Sequence, residues 1–502
     1  MKVRYRAIES GYDMLSSTMA MELTEKKRND IDPEQAIVVA PLFANGSSST
    51  IFEESVAGEE EEAGHSSMFG AGFNFVNSIV GAGIVGMPVA IAESGFAMGM
   101  LLLILVAVLV DRSVIMLVEC GLRAKKKNLE ELCGHLLGPT GHNVATIFMF
   151  LYAYGAMIAY MVIIGDTVPV ALNFFFGDGV PGKDAIILIA AVFIILPLSL
   201  LRDMSSLSYT SLLSITADFI LIIFVLANGP KAAREEETEF ESSDLNVINY
   251  KIFEGIGTFS FAFVCQHSTF IVFRTMKKQD LAHWTMVSHG SLTVAALMCL
   301  ALGLSGYLSF GSHTKGDILN NFSEEDKLML VGRLLLAITM VFTFPMECFV
   351  ARHALVSVWQ SIQTPPPSSP ADLLTITPTS SAEDTTGQQM STMTHVSVTL
   401  GLWSTTVAIA ISFGDLRIVL AITGALAASM LGYILPALLY FKTYEVDFKK
   451  ARLAFSPTSE YYQPRLQNRL RGIQKFLFPG FCLVFGAVAL VIGVATVISE
   501  YV

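Results

Sequence analysis

Charge is scarce in this chain. Only 15% of its 502 residues are Asp, Glu, Lys or Arg, while 53% are hydrophobic and the mean hydropathy is +0.57. Soluble domains carry about a quarter of their residues charged, so a soluble enzyme is excluded and a multi-span membrane protein is indicated. Cysteine is also sparse. All six (Cys120, Cys133, Cys265, Cys299, Cys348 and Cys482) fall in apolar runs or in loops assigned below to the inner side, so no outer-loop disulfide is expected. Missing too is any metal-type or nucleophile-type grouping of His, Cys, Asp or Glu, which argues against a membrane enzyme. No cleavable signal peptide is expected, because residues 1–66 are too long and too acidic for one.

Apolar runs are abundant. Segments of roughly 18 or more mostly apolar residues, enough to cross a bilayer, occur eleven times: near 68–91, 95–118, 143–168, 184–201, 208–228, 255–273, 285–308, 328–350, 394–413, 416–441 and 474–498. An all-α polytopic membrane protein with about eleven transmembrane helices follows. With the N-terminus inside, the inner loops hold seventeen Lys or Arg and the outer loops seven, so the positive-inside rule places the N-terminus in the cytosol.

The net charge of −12 is concentrated outside the membrane body. Residues 1–66 carry thirteen acidic and six basic side chains, and residues 230–250 carry six and two. The remainder is nearly neutral, and nothing suggests a nucleic-acid partner. The expected organisation is an acidic tail over 1–66 and a transmembrane domain over 67–502, with a Ser/Thr/Pro-rich inner loop at 363–394. Tail and loop have too little apolar surface to order themselves. Both are candidates for phosphorylation or for docking cytosolic regulatory partners, with passive linkers the alternative. Tyr5-Arg6-Ala7-Ile8 and Tyr12-Asp13-Met14-Leu15 fit a short sorting pattern that also arises often by chance.

The first span, MFGAGFNFVNSIVGAGIVGMPVAI, is interrupted by Gly81, Gly83, Gly86 and Pro88. Freed backbone groups at mid-depth are tolerated only against protein, water or a ligand. Asn74, Asn77, Ser78 and Gly81 share a helical face beside the break, which suggests a cavity. Small-residue helix packing is the alternative. Span six carries the second irregularity, where Gln266, His267, Ser268 and Thr269 interrupt FSFAFVCQHSTF. Interrupted helices at corresponding positions of two inverted halves point to a midplane binding site.

FNFVNSIVGAGIVGMPVAIAESGF resembles the first helix of the amino acid/auxin permease superfamily and, within it, the sodium-coupled neutral amino acid transporters. Further matches are IIGDT (163–167), LPLSLLRDMSSL (196–207), GYLSFGSHTKGDILNNF (306–322) and FTFPMECFVAR (342–352). The resemblance covers roughly residues 66–500. It implies a core of five plus five inverted helices of the LeuT-like type, with helices 1 and 6 broken, working by alternating access. The implied partners are an amino acid, most simply a neutral one, and the lipid bilayer. The membrane would be the plasma membrane or that of the endolysosome.

Candidate residues can be argued beside it. Amides around Gly81, Ala82, Gly83 and Ile84, at the positive end of a half-helix, suit a carboxylate. Carbonyls freed in span six suit an ammonium. Ser260, Phe261, Phe263 and Gln266 would set side-chain specificity, although the two phenylalanines are as well explained by packing. Sodium, the expected coupling ion in place of any cofactor, needs only hard oxygen donors. Asn77 matches the family's span-one asparagine linked to sodium, and the Val80 carbonyl is positioned to join it. Thr339 and Thr343 share a face of span eight, and Thr343 fits the family's cation-site threonine; bonding to an i−4 carbonyl is the plainer role. Protons are the competing couple, with Asp218 in span five and His267 as candidates. Asp111 and Arg112 are expected to pair with neighbouring helices, and Glu347 with Arg352 or water. Asn321-Phe322-Ser323 is a candidate glycosylation sequon. An amino acid sensor signalling through the tail is the alternative to a transporter.

Overall fold

The computed structural model describes residues 66–177, 181–201, 210–235, 245, 247–363, 391–412, 414–445 and 466–501. Residues 1–65 of the expected tail and 364–390 of the expected loop lie outside these.

Every regular element among the described residues is a helix, with one isolated bridge between Ser66 and Met276. α1 (Met68–Ile79) begins where the Ser67 hydroxyl accepts from the Gly70 amide at 3.2 Å, a standard way to satisfy a first-turn donor. A 3₁₀ turn (Ala82–Gly86) leads into α2 (Met87–Ser94), and the two halves of this span are bent by 50°. α3 (Phe96–Ala124) is span two. α4 (Leu129–Phe176) is two helices joined at Gly138, whose φ of 77° and following Pro139 break the axis before span three begins. α5 (Lys183–Ala190), a π turn (Ala191–Ile195) and α6 (Leu196–Ser199) form span four, and α7 (Thr210–Glu235) is span five.

α8 (Ile252–Phe263) and α9 (Gln266–Thr275) are the halves of span six, followed by α10 (Leu281–Phe310), α11 (Lys327–Gln363) and α12 (Thr392–Ser412). Span ten is α13 (Leu416–Thr423), two π turns (Gly424–Ala428 and Met430–Ile434) and α14 (Leu435–Thr443); α15 (Leu466–Tyr501) closes the chain. Each π turn that precedes a proline ends on a leucine amide bonded five residues back, Leu196 to the Ala191 carbonyl and Leu435 to that of Met430. The wider turn makes room for Pro197 and Pro436, which lack an amide.

Among the described residues nine helices are long and apolar enough to cross a membrane, or ten with the bent first pair. The expected span outside this count is the fourth, 184–201: its helix is continuous only over 183–199. Corresponding spans of the two halves meet: α8 packs on α2, and α4 runs along α11. This is the five-plus-five arrangement with spans one and six broken. In the apolar window of span six 89% of residues are buried, against 28% in α15, so the broken helices form the interior and α15 the rim.

Candidate substrate site

The two breaks touch. A Cβ on Gly83 would stand 2.5 Å from the Cβ of Ala262 and 2.6 Å from its Cα, a distance only glycine allows. One turn on, a Cβ at Gly86 would meet Leu420 at 2.6 Å. Gly257 and Gly424 lie backbone against backbone on the far side of α8. Span one therefore approaches span six through missing side chains, and span ten backs span six in the same way. Ile84 is the first amide of the 3₁₀ turn to bond within it, to the Gly81 carbonyl at 3.1 Å. The preceding amides of Ala82 and Gly83 lie in the first turn, where a helix supplies no internal acceptor. Gly81 itself faces span three, with the Tyr160 hydroxyl 3.7 Å from the place of a Cβ. Asn74, Asn77, Ser78 and Gly81 are half-buried on one face, and Ser78 donates to the Asn74 carbonyl at 3.0 Å.

Span six opens at Val264 and Cys265, just before the polar run expected to form the break. The polar residues act as its caps. Gln266 accepts from the Cys265 amide at 3.1 Å and donates to Ser113 Oγ at 2.6 Å and to the Gly432 carbonyl at 3.4 Å, tying span six to spans two and ten. The Cys265 carbonyl accepts from the hydroxyls of Ser268 and Thr269, each at 3.0 Å. The Tyr152 hydroxyl, from span three, lies 3.0 Å from the Phe261 carbonyl and 3.2 Å from that of Val264. Those two carbonyls are thus held by Tyr152 in this conformation. Its ring lies against Phe261 (centroids 5.4 Å apart) and His267 (5.1 Å). Ser260 is bonded to Tyr433 at 3.0 Å, and Phe263 is fully buried.

Span eight contributes one stripe. Thr339 Oγ1 donates to the Leu335 carbonyl at 3.0 Å and Thr343 Oγ1 to the Thr339 carbonyl at 2.7 Å, so both hydroxyl hydrogens are engaged while their lone pairs stay available to a cation. Asn77 and Val80 lie at the end of α1, whose main packing partners are α10, α9 and α7 rather than α11. One turn beyond Thr343, Glu347 Oε1 stands 3.9 Å from His267 Nε2. The two side chains are only 8% and 12% exposed, and His267 Nδ1 and Glu347 Oε2 have no hydrogen-bond partner among the described residues. Glu347 therefore faces the span-six break. Arg352, its expected partner, donates instead to the Ser199 carbonyl and Thr399.

Three other expected positions remain. Asp218 is 2% exposed on α7, which packs on α11, α10 and α1, and it stands near Cys299. Asp111 pairs across to span seven, accepting from Ser288 and His289 at 2.7 Å each, as expected. Asn321 is 2% exposed; its amide donates to the His313 carbonyl at 3.0 Å and its carbonyl accepts from Lys315 N at 2.8 Å. The candidate glycan acceptor thus clamps its own loop in this conformation, and its nitrogen would have to leave the His313 carbonyl to carry a glycan. Tyr152, Tyr160 and the His267–Glu347 pair escaped the sequence reading. The spacing of Tyr152 and Tyr160 in YAYGAMIAY, eight residues apart along one side of a helix, is the signal that could have found the first two.

Comparison with known proteins agrees with this geometry. The family described as "Transmembrane amino acid transporter protein" matches residues 64–462. A Danio rerio protein named "Putative sodium-coupled neutral amino acid transporter 11" is 31% identical over 390 residues, 76% of this chain and 80% of its own. "Vacuolar amino acid transporter 2" of Saccharomyces cerevisiae is 30% identical over 378 residues, 74% of this chain and 75% of its own. The solved structure titled "Inward facing conformation of Mhp1" aligns with 87% of this chain and 91% of its own at a TM-score of 0.50, with 10% identity. That likeness is one of fold, the LeuT-like transporter fold. The chain is a multi-pass membrane protein of the transmembrane amino acid transporter family.

Proposed function

We propose that this protein carries neutral amino acids across its membrane by alternating access, driven by sodium. The observation that supports the reading best is the direct contact of the two breaks at Gly83 and Ala262. It brings amides at the start of one half-helix beside carbonyls at the end of another, complementary to an amino acid's carboxylate and ammonium. In this reading the amides of Ala82 and Gly83 receive the carboxylate, with Gly81 and Ile84 closing the turn around them. The carbonyls held by Tyr152 pass to the ammonium when substrate enters, and Phe261 borders the side chain. Asn77, the Val80 carbonyl, Thr339 and Thr343 supply oxygens to sodium once α1 closes toward α11. One coupled charge gains about 2.3 kcal/mol per 100 mV of membrane potential. The names of the sodium-coupled relatives favour this couple.

The buried His267–Glu347 pair favours a second reading, coupling to protons. Uptake of labelled neutral amino acids into proteoliposomes separates the two. Stimulation by a sodium gradient, weakened in Asn77→Ala and Thr343→Ala, is the expected result. Stimulation by a proton gradient alone, lost in His267→Gln, would replace sodium by protons. Binding without flux under either gradient would leave a sensor. The N-terminus is placed on the cytosolic side of the plasma or endolysosomal membrane, which protease protection of a terminal tag in sealed vesicles tests.

A further inference from the structure

Three glutamates from three spans converge on the membrane face opposite the start of α1. Glu93 ends α2, the second half of span one; Glu254 lies in the first turn of α8, the first half of span six; Glu500 lies in the last turn of α15. Glu93 and Glu254 are 5% and 1% exposed, whereas the side chain of Glu500 is 31% exposed and is the accessible member. The charged groups that face Glu93 are Glu254, Glu500, Lys251 and Arg417, and the last three also face Glu254. Both cations are already engaged. Lys251 Nζ is paired with Glu500, and Arg417 with Asp415 at 2.9 Å.

The acids therefore outnumber their partners. Both oxygens of Glu93 and Oε1 of Glu254 have no hydrogen-bond partner among the described residues, and neither has Oγ of the fully buried Ser94. Ser94 points at the start of span six, where a Cβ on Gly255 would collide with that Oγ. Glu254 and Glu500 share a hydrogen bond. Ionised carboxylates only accept, so this bond exists only while one of the two carries a proton. A proton needs no cavity, and Glu500 gives it a way in from solvent.

We infer that Glu93, Glu254 and Glu500 form a proton-binding site that latches the last span to the adjoining ends of both broken spans. Those two ends are tied to each other without any proton. The Asn249 amide donates to the Ser94 carbonyl and its side chain to the Ala92 carbonyl, each at 3.0 Å, so the loop before span six holds the end of α2. A proton on the cluster adds the rim helix α15, which packs on α8, to this pair. When the proton leaves, Glu500 keeps Lys251 while Glu254 becomes a buried charge without a partner, which loosens α15 from α8. The site is separate from the coupling-ion readings, since it lies at the ends of the spans and not at their breaks.

Infrared difference spectra of the purified full-length protein in nanodiscs, stepped from about pH 5 to about pH 9, test it. Protonated carboxyls absorb apart from carboxylates, and wild type should lose such a band over this range. Glu254→Gln keeps a donor toward Glu500 without the proton and should remove part of the band. Glu500→Gln, at the accessible member, should remove the same part and disturbs folding least. Asp317 is the control, a 2% exposed acid of the loop between spans seven and eight. Burial and the neighbouring Asp166 push it up to about 7, so Asp317→Asn should remove a different part of the band. Unfolding temperature is the second readout. Because the folded cluster holds the proton, the latch is complete at acid pH and lost as pH rises, so wild type should fall by about a few degrees relative to Glu500→Gln over the series. A band unchanged in both Glu254→Gln and Glu500→Gln would overturn the proton site. Unfolding temperatures that run parallel at every pH would overturn the latch.

Discussion

The two broken helices are broken by opposite means. In span one the side chains are missing: Gly81, Gly83 and Gly86 let the backbone turn by 50° and lie directly on span six. In span six the side chains are in surplus: Gln266, Ser268, Thr269 and, from span three, Tyr152 satisfy the groups that the opening at Val264 and Cys265 exposes. Only one break is bent strongly enough to divide its span; span six still passes as a single apolar crossing. A break made by glycine is held by what packs around it. A break made by polar side chains is held by its hydrogen bonds and shifts by exchanging partners. The difference assigns span one to fit and span six to change.

That contrast can be broken first at Gly83. Gly83→Leu is expected to abolish uptake and lower the folded yield, because even a Cβ meets Ala262 at 2.5 Å. Gly83→Ala should cost about 1–3 kcal/mol, and Ala262→Gly in the same chain should recover part of it. Full flux in Gly83→Leu at normal expression would refute the packed break; thermal unfolding together with uptake reads both.

Gln266→Ala comes next. It leaves Ser113, the Cys265 amide and the Gly432 carbonyl without their partner and should cost about 1–3 kcal/mol, seen as a lower unfolding temperature of the purified protein. If stability is unmoved, span six is not held by these bonds.

Tyr152→Phe is gentler, since the ring contacts with Phe261 and His267 survive. Loss of one hydroxyl should cost about 1 kcal/mol or less in stability, while the substrate concentration for half-maximal uptake shifts severalfold because the Phe261 and Val264 carbonyls lose their donor. A stability loss with unchanged substrate dependence would make Tyr152 a purely structural cap.

The last test concerns pH and lies outside both breaks. Asp317 binds its proton more tightly folded than unfolded, so its contribution to stability is complete below the ordinary aspartate range near about pH 4 and is lost as pH rises through about 7. Wild type should therefore lose stability relative to Asp317→Asn over that window, at up to about 1.4 kcal/mol per pH unit. Parallel unfolding temperatures from acid to neutral pH would sink it.

Hydropathy and glycine placement made much of this legible in advance. The spans, the bend at Gly81 to Gly86 and the irregularity near Gln266 are local, because bilayer thickness fixes helix length and an unsatisfied backbone is intolerable in hydrocarbon. The short fourth span shows the limit of that reading: Pro197 and a π turn reshape a run whose composition alone looked sufficient. Asn321 shows another. A sequon is three residues of local sequence, whereas its burial depends on where the loop folds back to His313.

By itself the sequence determined an all-helical membrane chain with two interrupted spans, since those features follow from what each segment does with its own backbone in lipid. Only the tertiary structure decided that Gln266 is a tie between three spans and that Glu347 faces His267 rather than Arg352. Those outcomes depend on the register between helices far apart in the chain, and no local pattern of residues records which faces will meet.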